Sequence, residues 1–328
     1  WLSLADLNQA TECFGRAAKA VAGDPVLAER VRRERLSLDY VWLARYDGLR
    51  RELRSSGTPF LGPEDPLAAL AQADLGLQYG DGLFKTMAAS NRRVRRFQSH
   101  MARLTESCHR LGMPAPPVDL IETDCLRALE GFGAAVCKLT LTRGPGPRAY
   151  PPPAEPSLTR IVVSTAQQVS ESEAARPLNL RVCETRLGRN PRLAGIKHLN
   201  RLEQVLAGAE LREPAVDEGL MRSTDDRIVC ATAANVFLVR SGRLLTPQIS
   251  DCGVAGVMRE VVLRLAQRLG IQVETGDYTL DDLARADECF LTNSVRGIRP
   301  VGCIAGVNDF RPGAMTARLR DAVETADE

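Results

Sequence analysis

Gly195-Ile196-Lys197-His198-Leu199-Asn200-Arg201 sets a lysine among apolar neighbours in a chain that scarcely uses lysine. Of the 43 basic residues only Lys19, Lys85, Lys138 and Lys197 are lysine, and the other 39 are arginine. An ordinary surface cation in this chain is therefore arginine, so a lysine between Ile196 and the apolar run Leu199, Leu202, Val205, Leu206 points to a need for an amine that can be neutral. Arginine keeps its charge at any working pH, whereas a partly buried lysine can lose its proton and attack a carbonyl. The competing reading is a lysine that caps or snorkels at a helix start, and the local pattern alone leaves both open.

The wider sequence extends the pattern. Gly188-Arg189-Asn190-Pro191 precedes the lysine and Leu202-Glu203-Gln204 follows it. Upstream lie the glycine-rich Leu77-Gln78-Tyr79-Gly80-Asp81-Gly82-Leu83-Phe84 and then His100-Met101-Ala102-Arg103-Leu104. Downstream lie Ala233-Ala234-Asn235-Val236-Phe237, Gly253-Val254-Ala255-Gly256-Val257-Met258-Arg259 and Thr292-Asn293-Ser294. In this order, over roughly residues 70–305, the motifs resemble those of the aminodeoxychorismate lyases, a family of fold-type IV pyridoxal-phosphate enzymes related to the branched-chain and D-amino-acid aminotransferases. The ordered spacing is more specific than any single motif.

The resemblance implies an α+β fold of the two-domain, D-amino-acid aminotransferase-like kind, with an extra N-terminal helical segment. It implies pyridoxal 5'-phosphate as cofactor, a small-molecule substrate and a homodimer. Lys197 would bind the cofactor aldehyde and, once displaced by the 4-amino group of aminodeoxychorismate, remove the C4 proton, releasing pyruvate and 4-aminobenzoate for folate biosynthesis. Cofactor contacts would come from Arg103, whose guanidinium fork suits phosphate oxygens, from Val257 and Met258 at a helix start whose free N–H groups favour an anion, and from Asn293 and Ser294. The pyridine nitrogen, which the family usually pairs with a glutamate, would face Cys230, a weak substitute. Arg148 and Tyr150, in the Pro-rich loop 143–150, are candidates for the substrate carboxylates, and a plain surface loop is the alternative reading for both.

Composition agrees with an enzyme and excludes other classes. With 328 residues, 44% hydrophobic residues and a net charge of +2, the chain can bury two modest cores and shows no basic surface for nucleic acid. Nine cysteines without a CxxC pair, and only three histidines, argue for free thiols in a reducing cytoplasm and against a metal site. No apolar run approaches a membrane span.

Periodicity divides the chain into a helical appendage over residues 1–56, with a third helical stretch over 38–53, then a linker over 57–69, a smaller domain over 70–166 and a larger one over 167–328. Strands are expected from Leu77 and over 135–142, 159–165, 178–185, 219–221, 228–231, 235–239, 271–274 and 289–292. Helices are expected over 97–111, 118–129, after Lys197, over 257–269 and from Ala314. Strands and helices mix without a βαβ rhythm, which favours α+β. Where the lyases open with a short strand, this chain reads Ala71-Gln72-Ala73-Asp74-Leu75-Gly76, so an edge strand is missing or replaced. Two other readings stay open: an aminotransferase of D- or branched-chain amino acids, which Lys197-His198-Leu199-Asn200 also fits, and a catalytically inactive fusion protein, suggested by the helical head and by Lys85 where relatives often carry an acid.

Overall fold

The structure, a computed structural model, describes residues 44–45, 74–147, 149–167, 176–311 and 313–326. Apart from the backbone of Ala44–Arg45, the appendage and linker lie outside the described residues, as do Arg148 and residues 168–175 at the start of the larger domain.

The first sheet has five strands in the order β1-β5-β4-β2-β3: β1 (Ala44–Arg45), β2 (Gly82–Ser90), β3 (Arg93–Val94), β4 (Ala134–Thr142) and β5 (Thr159–Ala166). β1 runs parallel to β5, with Ala44 opposite Val163, so the sheet edge is supplied from within the stretch that periodicity assigns to a third helix. The strand expected from Leu77 begins only at Gly82. Leu75–Tyr79 is instead a short helix, α1, because the Asp74 carboxylate accepts from the N–H groups of Gly76 and Leu77 at 2.8 and 3.2 Å and caps it. Helices α2 (Phe97–Arg110) and α3 (Val118–Ala128) cover one face of the sheet. Their apolar stripes, Met101, Leu104, Cys108, Ile121 and Cys125, meet Leu83, Met87, Cys137, Leu139 and Leu141 of the strands in one core. Strand alternation turns Phe84, Thr86, Lys138 and Thr140 to the opposite face.

The second sheet takes the order β11-β10-β9-β12-β13-β6-β7-β8, with β14 beside β13. It comprises β6 (Leu178–Leu187), β7 (Glu218–Ser223), β8 (Ile228–Ala231), β9 (Asn235–Arg240), β10 (Arg243–Pro247), β11 (Val273–Gly276), β12 (Glu288–Asn293), β13 (Gly297–Ile304) and β14 (Asn308–Asp309). Its helices are α4 (Leu202–Ala209), α5 (Val257–Arg268), α6 (Leu280–Ala284) and α7 (Ala314–Thr325). The central strands are buried on both faces. Val236, Leu238, Leu291 and Val301 enter one core with Leu283 of α6, while Phe237 and Phe290 stack at 5.0 Å in the other beneath α5 and α7. Each fully buried aliphatic or aromatic side chain of this kind contributes about 2 kcal/mol.

The lysine segment straps the two sheets together. On one side it extends the first sheet: His198 bridges Leu83, Phe84 N–H donates to Lys197 O at 3.0 Å, and Leu199 N–H donates to Gly82 O at 3.0 Å. On the other side Gly195 N–H donates to Gly253 O at 3.0 Å and Ala255 N–H to Gly195 O at 3.2 Å.

Candidate active site

Close approach of that strap depends on a glycine. A Cβ on Gly82 would stand 2.5 Å from Leu141 O and 2.7 Å from Leu199 Cδ1, so any side chain here would push the lysine segment off β2. With register set by backbone bonds, Leu83 and His198 point into the first core, and Lys197 and Phe84 point to the open face. Lys197 Nζ lies 4.2 Å from the centroid of the Phe84 ring, and Lys138 Nζ lies 5.4 Å from the same centroid. Burial, then the nearby Arg201 and Lys138, pull the Lys197 amine down from its usual range to about 8. Arg201 is held there by its own bonds, donating to His198 O at 2.9 Å and Ile196 O at 3.3 Å. The result is a nucleophilic amine, partly neutral near neutral pH, above an aromatic floor.

At the other end of the strap, where Gly195 bonds Gly253 and Ala255, the chemistry turns to anion binding. Asn235 donates to Val254 O at 2.8 Å and accepts from Gly256 N–H at 3.1 Å, fixing the loop that leads into α5. A Cβ on Gly256 would stand 2.4 Å from Asn235 Oδ1, so the helix start requires glycine. Among the described residues the N–H groups of Val257 and Met258 in the first turn have no partner, and they carry the positive end of the helix dipole. Arg103 of α2 lies across a groove of about 310 Å³ from Gly256, and its guanidinium bonds Glu260 at 3.2 Å. Asn293 accepts from Val295 and Arg296 N–H at 3.0 and 2.7 Å, shaping the turn at Ser294, and donates to Ala233 O at 3.4 Å. Ser294 Oγ has no partner among the described residues. An amine that can be neutral, a π face, unpaired N–H donors and a guanidinium together fit an aldehyde that carries a phosphate.

Cys230 is buried on β8, opposite Met221 of β7. Burial pushes its thiol up to about 12, so it is a neutral group within electrostatic reach of Arg201 and Lys197. Tyr150 is exposed, and its ring packs against Tyr79 at 5.1 Å. Sequence reasoning did not identify Phe84 and Lys138 as site residues. A signal for Lys138 existed in the scarcity of lysine, since two of the four lysines, Lys138 and Lys197, stand over the Phe84 ring. Among the described residues no group of acids, histidines or cysteines could hold a metal, and no helix is long and apolar enough to cross a membrane.

Comparison with known proteins fits this geometry. Over 79% of its length the chain is 35% identical to aminodeoxychorismate lyase of Vibrio harveyi, covering 97% of that protein. The crystal structure of 4-amino-4-deoxychorismate lyase from Pseudomonas aeruginosa superimposes with a TM-score of 0.74 at 40% identity, over 80% of this chain and 98% of that one. A putative branched-chain-amino-acid aminotransferase of Methanocaldococcus jannaschii is 30% identical over 77% of this chain and 90% of its own length. The profile of the amino-transferase class IV family matches residues 82–304, from the first residue of β2 to the last of β13. The strap lysine, the start of α5 and every strand but β1 and β14 lie inside that match, and the chain belongs to the class IV aminotransferase family.

Proposed function

We propose that this enzyme is a pyridoxal-5'-phosphate-dependent 4-amino-4-deoxychorismate lyase that releases pyruvate and 4-aminobenzoate. The observation that carries the reading is the half-buried amine of Lys197 over Phe84, on a strap shared with the unpaired N–H groups of α5, in a chain 35–40% identical to lyases over most of its length. The phosphate would lie against Val257 and Met258 N–H with Arg103 and Ser294, and the aldehyde at Lys197 Nζ. When bound, the cofactor supplies that aldehyde for the substrate amine and an electron sink for the carbanion at C4.

The chain's own groups would do the rest. Lys197 Nζ, once exchanged for the substrate amine, would accept the C4 proton, its neutral form favoured by burial and by the cations of Arg201 and Lys138. Enolpyruvate leaves C3 and takes up a proton to become pyruvate, while the ring becomes aromatic. Lys138 and Arg201 would also offer two cations to a dicarboxylate substrate. Cys230 would set a neutral thiol where the family usually has a carboxylate that keeps the ring nitrogen protonated, which suits a reaction pulled forward by aromatisation more than a transamination that depends on a strong electron sink.

The test is an assay of the cofactor-loaded protein against aminodeoxychorismate and, separately, against D-alanine and branched-chain amino acids. Release of 4-aminobenzoate with stoichiometric pyruvate is expected. Conversion of an amino acid to its keto acid, with no 4-aminobenzoate, would overturn the reading in favour of an aminotransferase.

Helix α4 supports a homodimer. Its apolar stripe lies open: Leu202, Val205 and Leu206 are 70, 63 and 53% exposed. Three adjacent large apolar side chains call for a covering surface, and a second copy of the chain is the proposed cover. Sedimentation should give a dimer for the wild type and a monomer for Val205→Asp/Leu206→Asp; an unchanged dimer would place the interface elsewhere.

A further inference from the structure

Lys85 plays no part in the reaction as described, yet it is the most unusual charged residue of the first sheet. It lies on the α2 side of β2, only 5% exposed, and no hydrogen bond or ion pair holds its amine among the described residues. The charged groups that act on it are Arg103, Glu106 and Cys108 of α2 and, from the other face of β2, Lys197 of the strap. Beside it lies His100, 3% exposed, whose Nδ1 is buried without a partner. Burying a lone cation between two others is costly unless an anion completes the cluster. Glu106 has the weakest influence of the four, and Arg103 is already turned towards Glu260. Lys85 therefore has no paired acid among the described residues, and its neighbours Arg103 and Glu106 line the groove that α2 forms with Gly256 at the start of α5.

We propose that Lys85 is a positioning cation for the phosphate end of the site, acting behind Arg103, and that it takes up a proton when a phosphate dianion arrives. The inference rests on the cofactor reading above. Burial, Arg103 and Lys197 together draw the Lys85 amine down to about 7, so much of it is neutral in the ligand-free protein at pH 8. A dianion beside Arg103 reverses the sign of the local field and favours the protonated form. His100, drawn down to about 3 by burial and then by Lys85, stays neutral throughout and supplies no counter-charge. An arginine at position 85 would be charged in the empty site as well, which accounts for a lysine in a chain that otherwise prefers arginine.

The experiment is calorimetric titration of the full chain at pH 8 with inorganic phosphate and with pyridoxal 5'-phosphate, in two buffers of different ionisation enthalpy. The wild type should take up more protons than Lys85→Met, by roughly half a proton or more. Lys85→Met should bind inorganic phosphate about tenfold more weakly. Lys85→Arg should keep the affinity and lose the linked proton, an outcome that a purely structural role does not produce. Equal uptake and equal affinity in wild type and Lys85→Met would overturn the proposal, as would proton uptake undiminished in Lys85→Arg. The cofactor reading is judged separately, by the near-visible absorption band of lysine-bound cofactor in the wild type. That band can appear while Lys85 proves silent, and phosphate-linked uptake can appear without the band.

Discussion

Replacing Lys197 by alanine is expected to lower 4-aminobenzoate release by at least about 10⁴-fold, because one amine serves as both covalent anchor and general base. The fold should survive, since the strap is held by backbone bonds, Phe84 N–H to Lys197 O and Leu199 N–H to Gly82 O, that the substitution leaves intact. The variant should still bind pyridoxal 5'-phosphate through its phosphate, but borohydride reduction followed by mass spectrometry should find no cofactor attached to the chain. In the wild type, covalent uptake needs the neutral amine. Its rate should therefore rise with pH and reach half its maximum near 8, where burial, Arg201 and Lys138 have drawn the Lys197 amine. A rate still climbing steeply above pH 10 would mean that these cations do not act on it. Activity retained in Lys197→Ala would remove the lysine from the chemistry altogether.

Arg143→Ala is expected to cost about 3–5 kcal/mol of stability. Its guanidinium binds Asp81 through Nε at 2.6 Å and Nη2 at 3.2 Å, and it also donates to Leu111 O and Gly112 O, each at 2.8 Å. One buried side chain thus ties the Gly80-Asp81-Gly82 turn to the C-terminal end of α2 and to the end of β4. Removing it strands the Asp81 carboxylate and leaves helix-terminal carbonyls without donors. Arg143→Lys should recover only part of the loss, because a point charge cannot reproduce the bidentate fork. Urea denaturation of the three proteins measures this directly; a cost below 1 kcal/mol for Arg143→Ala would show that the clamp is not what holds the turn. Because that turn carries the Gly82 approach to Leu199, the destabilised variant should also lose cofactor uptake.

Several of these elements are legible in the amino-acid sequence. The stripe Met101, Leu104, Cys108 has helical spacing and ends at Gly112, whose φ of +62° terminates α2 as expected. The alternation over 135–142 falls within β4, and the glycines at 253 and 256 mark the start of α5. Local rules fail where a distant partner chooses the conformation. Leu75–Tyr79 has the composition of a strand, but Asp74, held by Thr142 Oγ1 at 2.7 Å, caps it into a helix. Gly297–Ile304 contains Pro300 and Gly302, poor strand residues, yet becomes β13 because β12 and β6 flank it on either side.

Side-chain type and spacing are local properties, so a scarce lysine in an apolar strap stands out along the chain and marks Lys197 as the candidate for the chemistry. The α+β class is legible for the same reason, because periods of 2 and 3.6 residues are written in consecutive positions. Tertiary contacts were needed to make Phe84 the floor of the site, to bring Lys138 beside Lys197, to set Lys85 under α2, and to turn the apolar stripe of α4 outward. Strand register pairs residues dozens of positions apart, and the sign and size of an amine's proton affinity depend on which charges that pairing brings near.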